Sequence, residues 1–219
     1  MLGILGVFLG LCMLLFKDKK RVESQNLIEA QEEKLSFSEV MTILVNALKK
    51  SPALTLTISG GVFYHIILGA AAFEQIWLVE ERGFDRSVIA QISGIIAVFA
   101  GLAGVLFGGL VSDWWLEKTN QGRPIFLFWL SLILLPIGVI YRFVEPTTVI
   151  FWVGVVVGYF QLGCFYGPTF STVQELVPEK IRATIVAFYI LCINLIGLTI
   201  GSLGACLLYT SDAADEQWS

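Results

Sequence analysis

The sequence predicts an all-α polytopic membrane protein, and three observations carry that prediction. Hydrophobic residues make up 56% of the chain and charged residues 15%, where soluble domains carry about 25% charged. The mean hydropathy is +0.79, and the apolar residues gather in runs near the roughly 20 residues that a membrane helix needs. The basic residues, finally, crowd into alternate connections between those runs, as they do when every second loop stays in the cytoplasm. The formal net charge of −4 matters less than this placement.

Taken in order, the first run is 1–16, apolar but too short to span comfortably, so its outer end is expected to be missing. It lacks a basic start and a cleavage site, and so does not read as a signal peptide. The next runs are 54–79, 88–112, 124–143, 147–170 and 183–205. The connections at 17–53, 113–123 and 171–182 together hold eleven basic residues, against three in the other two. The positive-inside rule therefore assigns these three connections to the cytoplasm.

The connection 17–53 carries its own helix signals. Ser36-Phe-Ser-Glu39 has the spacing of a capping box, in which hydroxyl and carboxylate satisfy free amides at a helix start. Leu35 and Val40 stand at the staple positions. Phe37, Val40, Met41, Leu44, Val45 and Leu48 recur on one helical face, and Lys49 and Lys50 suit the dipole at its end. This amphipathic helix is expected to lie on the inner membrane surface; the other reading packs it on a cytosolic partner.

The spans differ in kind. Runs 1–16 and 124–143 are large and apolar almost throughout and suit a lipid-facing position. Run 88–112 carries Gly94, Gly101, Gly104, Gly108 and Gly109; run 147–170 carries Gly154, Gly158, Gly163 and Gly167; run 183–205 carries Gly197, Gly201 and Gly204. Small residues let helix backbones approach closely in lipid and permit bending. Helices that slide and a static, tightly packed bundle both fit that pattern.

Polar residues inside the spans are few. His65, Gln161 and Asn194 lie near the middle of three different runs, and Glu74 and Gln75 nearer the outer end of theirs. Polar groups in lipid usually face a bundle interior or a cavity, so His65, Gln161, Asn194, Tyr159 and Glu74 are the candidate substrate-cavity residues. An interhelical hydrogen bond is the simpler role for each. His65 and Glu74 are nine residues apart, half a turn around a helix, and are not expected on one cavity wall.

Enzyme chemistry, metals and cofactors are not expected. The chain has one histidine and no GxSxG, phosphate-loop or HExxH pattern. Cys12, Cys164, Cys192 and Cys206 have no metal-ligand or redox spacing, and the first three read as packing residues.

Two stretches resemble a known family. Gly109-Leu-Val-Ser-Asp113, followed by Trp114-Trp-Leu-Glu-Lys118 and Arg123, resembles the Gly-x-Leu-Ala-Asp-Arg loop of the major facilitator superfamily, in its copy between the eighth and ninth helices. Gly167-Pro168 through Gln174-Glu-Leu-Val-Pro-Glu-Lys-Ile-Arg-Ala-Thr184 resembles the run from the tenth into the eleventh helix, especially in the spinster-like branch. The resemblance covers residues 1 to about 205. It implies the C-terminal half of a twelve-helix fold: the end of the sixth helix at 1–16, the central loop at 17–53, and helices seven to eleven over 54–205. It implies a secondary transporter in which two halves rock about a central site, with a small organic or lipid-like solute and proton coupling among the expectations.

The resemblance also implies a gating set of Gly109, Asp113, Lys118, Arg123, Glu179 and Arg182. Asp113 would meet a helix start in the other half, and Glu179 and Arg182 would meet that half's matching loop. Trp114 stands where the family has a basic residue, which leaves Lys118 or Arg123 to supply the charge.

The end of the chain reads differently. CLLYTSDAADE, residues 206–216, is what one frame of a transposon-end sequencing adapter encodes, so 206–219 is expected to be adapter read-through. The expectation is thus a piece truncated at both ends, lacking helices one to five and twelve and inactive alone. Its partners would be the bilayer, a small-molecule solute and the N-terminal half, with no nucleic acid, and its location a bacterial inner membrane. A non-transporting receptor or scaffold of the same fold, and a self-assembling six-helix half-transporter, are the alternatives.

Overall fold

A computed structural model of the chain describes residues 37–71 and 73–216, and it is all-helical over them. The run 1–16, Cys12, Leu35 and Ser36 of the expected capping box, and Gln217 to Ser219 lie outside the described residues. Helix α1 is Phe37–Lys50, with Glu39 in its first turn and Lys49 and Lys50 in its last, as the dipole favours. The division of the chain into two units, Met1–Ile43 and Leu44–Ser219, falls within this helix. In the first, Thr42 Oγ1 donates to Ser38 O at 2.8 Å.

The second unit holds the long helices. They are α2 Pro52–Ala71, α3 Glu74–Glu80, α4 Arg86–Thr119, α5 Arg123–Ile140 and α6 Val149–Glu175. A 3-10 turn at Glu179–Ile181 leads to α7 Arg182–Leu191, a π-helical segment Cys192–Leu198, and α8 Thr199–Glu216. Five stretches are long and apolar enough to cross a membrane: Pro52–Glu80, Arg86–Thr119, Arg123–Ile140, Val149–Glu175 and Arg182–Leu208.

Three boundaries differ from the sequence reading. Helix α4 runs through Asp113 to Thr119, so that stretch is helical where a connection was expected. Nothing between Asp113 and Thr119 breaks a helix, and the stop comes at Asn120, which adopts the left-handed conformation (φ 55°) as C-cap. At 34 residues α4 is about 51 Å long, well beyond the roughly 30 Å of hydrocarbon. The seventh span is divided: α2 ends at Ala71 and α3 restarts at Glu74, with Phe73 as N-cap. The backbone of α8 continues to Glu216, past the end of the last run at 205 and into the stretch expected to be adapter read-through; Ala213 and Ala214 are strong helix formers.

Glycines set which helices touch. A Cβ at Gly104 would fall on the Phe160 carbonyl, and one at Gly163 on the Gly101 carbonyl, so α4 and α6 meet backbone to backbone. A Cβ at Gly201 would fall on the Ile66 carbonyl, which brings α8 equally close to α2. In lipid such contacts hold helices by dispersion, since burial from water is no longer available as a force between them. Cys164 and Cys192 are buried and unpaired, as small packing residues are. By contrast α5 buries Phe126 alone among its residues, the behaviour expected of the uniformly apolar run.

Candidate functional site

Tyr159 of α6 stands between two grooves. The first, of about 470 Å³, is bounded by α2, α3, α6 and the end of α5, and its lining includes Tyr64, Glu74, Tyr141, Arg142, Tyr159 and Gln161. The walls are otherwise apolar, with Ile67, Leu68, Val155 and Leu162. A pocket of mainly apolar walls and few polar groups is the usual form of an organic-solute site.

The polar groups of this groove are anchored. Tyr141 Oη donates to Glu74 Oε1 at 2.6 Å, which ties α3 to the end of α5. Gln161 Nε2 donates to Ser131 Oγ at 3.2 Å, linking α6 to α5. Beside them the Arg82 and Arg142 guanidinium carbons lie 4.7 and 5.2 Å from the centroid of the Trp77 ring, both within cation–π range. The Arg82 side chain also donates to the Arg142 carbonyl.

His65 lies behind the groove, 2% exposed. Its Nδ1 is 2.8 Å from Gly61 O; a carbonyl only accepts, so Nδ1 carries the proton. In the neutral ring Nε2 is then the acceptor, and Tyr166 Oη reaches it at 3.5 Å. Tyr64, which lines the groove, meets His65 edge to face at 5.9 Å and stacks on Phe165 at 4.0 Å. The histidine is pressed from the other side by Gly197 of the π segment, where a Cβ would come 2.6 Å from His65 Cβ.

The five candidate cavity residues therefore part company. Glu74, Tyr159 and Gln161 share the groove. His65 sits one ring behind it, and not on the wall with Glu74, as their half-turn separation implied. Asn194 is exposed on the π segment and donates to its own helix at Ile190 O, 2.8 Å away. Tyr141, Arg142 and Ser131 were not singled out from sequence as cavity residues; Arg142 entered there only as a basic residue of a connection.

A second groove, of about 500 Å³, lies between α3, α4 and α6 and also uses Tyr159. It holds Gln75, Glu80, Arg86 and Ser93. At its loop end Asp85 caps α4, accepting from Ser87 N at 2.9 Å, Ser87 Oγ at 2.5 Å and Val88 N at 3.0 Å. The Ser87 hydroxyl first, then these amides, hold the Asp85 carboxyl below its usual range.

The expected gating residues gather at the opposite helix ends. Arg123, the first residue of α5, donates from Nε to Asp113 Oδ1 at 2.8 Å and from Nη1 to Glu175 Oε2 at 2.5 Å. One guanidinium thus joins α4, α5 and α6. Lys118 instead sits over the Trp114 ring, 5.3 Å from its centroid. Arg182 donates to Gln174 O at 3.0 Å, near the negative end of α6, and lies 3.9 Å from Glu179. Gly109 lies where α4 meets α6: a Cβ at Gly167 would touch Gly109 Cα at 3.4 Å. Glu175 was the unnoticed member, standing within the second family-like stretch. Among the described residues no cluster of potential metal ligands forms.

A family model of the Major Facilitator Superfamily matches residues 1–202. No curated protein matches the chain, and no solved structure does. Five long apolar helices together with that match make the chain an integral membrane protein. With nearly the whole sequence matched, it belongs to the Major Facilitator Superfamily, a family of membrane transporters.

Proposed function

We propose that the chain is the C-terminal half of a secondary active transporter, which moves a small organic or amphipathic solute by alternating access and couples it to protons. The observation that carries this reading is the groove beside Tyr159, where Glu74 and Gln161 meet apolar walls in about 470 Å³. A protonatable group and a solute-sized cavity on one surface are what coupling requires.

Two further features support motion. The π segment Cys192–Leu198 packs its Gly197 against His65, and π segments in helices frequently mark functional sites. The turn at Phe73, before α3 begins at Glu74, falls beside the groove, and broken helices commonly line transporter sites. The run 167–189 supports the spinster-like branch and, with it, a lipid-like solute. The inner-end network of Asp113, Arg123 and Glu175 fixes three helices of this half, so that they move as one body against an N-terminal half. A bacterial inner membrane is the proposed location.

The test is solute flux in proteoliposomes. The product of the full reading frame should drive uptake or release of an amphipathic organic solute under an imposed pH gradient, and Glu74→Gln should uncouple flux from that gradient. Flux indifferent to the gradient in both proteins removes proton coupling; absence of flux across a broad solute panel removes the transporter reading. The chain as it stands, without a second half, should show none.

A further inference from the structure

The second groove bears a charge pattern of its own. Arg86 and Glu80 both line it, yet they form no ion pair with each other, and neither side chain has a hydrogen-bond or ion-pair partner among the described residues. Deeper in, Ser93 is 4% exposed, and its Oγ is buried with no partner among the described residues. A serine in a helix ordinarily bonds back to the preceding turn, and a buried hydroxyl without a partner is costly. Gln75 and Tyr159 add two further polar side chains, and Val79 belongs to the apolar wall.

An occupant of this groove of about 500 Å³ would displace water from a cation and an anion together. Dehydrating a charge without a counter-charge is costly. A purely anionic occupant would satisfy Arg86 and leave Glu80 dehydrated; a purely cationic one would do the reverse. The geometry points to a binding site for a zwitterion with an apolar portion, its anionic group on Arg86, its cationic group on Glu80, and a hydrogen-bonding group reaching Ser93. This rests on the transporter reading only in taking the occupant for a passing solute; binding itself requires no transport. A free amphipathic zwitterion and the headgroup of phosphatidylethanolamine share this chemistry.

The test is equilibrium binding to the purified chain in detergent, with three probes of one shape: phenylalanine as zwitterion, N-acetylphenylalanine as anion and phenylalanine methyl ester as cation. Phenylalanine should bind at least tenfold tighter than either derivative. Arg86→Gln should abolish its advantage over the cationic ester, and Glu80→Gln its advantage over the anionic derivative. Both charge variants alter exposed residues and should leave the melting temperature unchanged. Repeating the titration in nanodiscs distinguishes the sources: loss of binding in phosphatidylethanolamine discs identifies the headgroup as occupant, and retained binding identifies a free solute. No measurable binding by phenylalanine in detergent, equal binding of the three probes, or a preference that the charge variants leave intact overturns the site. Since flux is not measured, this failure is separate from failure of the transporter reading.

Discussion

Arg123 Nε lies 2.8 Å from Asp113 Oδ1, so the first residue of α5 reaches back to α4 across the turn at Asn120. Its Nη1 meets Glu175 at 2.5 Å. The Arg123 side chain is 10% exposed while the two carboxylates are 62% and 57% exposed. A nearly buried cation held by two solvated anions is asymmetric: removing the arginine breaks both links, and removing either acid leaves one. Arg123→Ala should therefore destabilise more than Asp113→Asn or Glu175→Gln, by about 1.5–3 kcal/mol, the range for hydrogen bonds to charged groups. Each acid variant alone should cost under about 1 kcal/mol, as exposed pairs do. Thermal unfolding of the purified chain decides it; an Arg123 variant no weaker than the acid variants removes the bridge.

Glycine contacts in α8 give a controlled comparison. A Cβ at Gly201 meets the Ile66 carbonyl, whereas one at Gly204, a turn later, meets nothing within 4 Å. Gly204→Ala gains helix propensity, worth up to about 1 kcal/mol. Gly201→Ala adds a methyl where two backbones touch, and overpacking costs about 1–3 kcal/mol. The melting temperature should rise or hold for the first and fall for the second. Equal behaviour would mean that α2 and α8 do not pack through these glycines.

Much of this was legible in the sequence, and the parts that were not have particular causes. Hydropathy located all five long helices, and the uniformly apolar run 124–143 became α5, the helix with the least burial. Either Lys118 or Arg123 was left to supply the charge that Trp114 does not; Arg123 is the one that meets Asp113, because the left-handed Asn120 turns the chain back, and Lys118 lies over Trp114 instead. That turn is a conformation, not a spacing, and Asn120 in a polar stretch does not announce it. The turn at Phe73 was equally hidden: Gly69-Ala-Ala-Ala-Phe contains no proline, and alanine favours a helix. Ser93 could not be found at all from sequence, since a serine facing a helix neighbour and one facing a groove look alike until packing is known. His65 and Glu74 separated as helical geometry requires. Asn194 bonds back to Ile190 O of its own helix, which is neither the cavity role nor the interhelical bond expected of it.

The Asp85 cap predicts a pH dependence. Ser87 Oγ and the amides of Ser87 and Val88 depress the folded carboxyl, so the folded state favours the ionised form. The stabilisation is present above the unfolded value, near pH 4, and is lost as the pH falls through the lower folded value. Asp85→Ala should lower the melting temperature at neutral pH and approach the parent protein in acid. Asp85→Asn, which keeps a capping oxygen, should lie between them with a flatter pH profile. A deficit in Asp85→Ala that stays constant down to pH 2 would show that the cap's charge contributes nothing.

The last prediction concerns the groove. Tyr141 Oη donates to Glu74 Oε1 at 2.6 Å, and no other hydrogen bond to the Glu74 carboxylate occurs among the described residues. Tyr141 is 5% exposed and belongs to the cluster with Leu78, Phe151 and Val155, so Tyr141→Phe retains the ring packing and removes only the hydroxyl. Because Glu74 opens on the groove, water can replace the lost donor, and the loss should stay near the low end of about 1.5–3 kcal/mol for a hydrogen bond to a charged group. Glu74→Gln retains an acceptor and should cost less. In the double variant the two losses should not add, since both act on one bond. A double-mutant cycle on thermal or denaturant unfolding measures that coupling, and strictly additive losses would mean the two side chains act independently. A coupling above about 1 kcal/mol would establish that this hydrogen bond helps to hold α3 to the end of α5, beside the Trp77–Tyr141 ring contact.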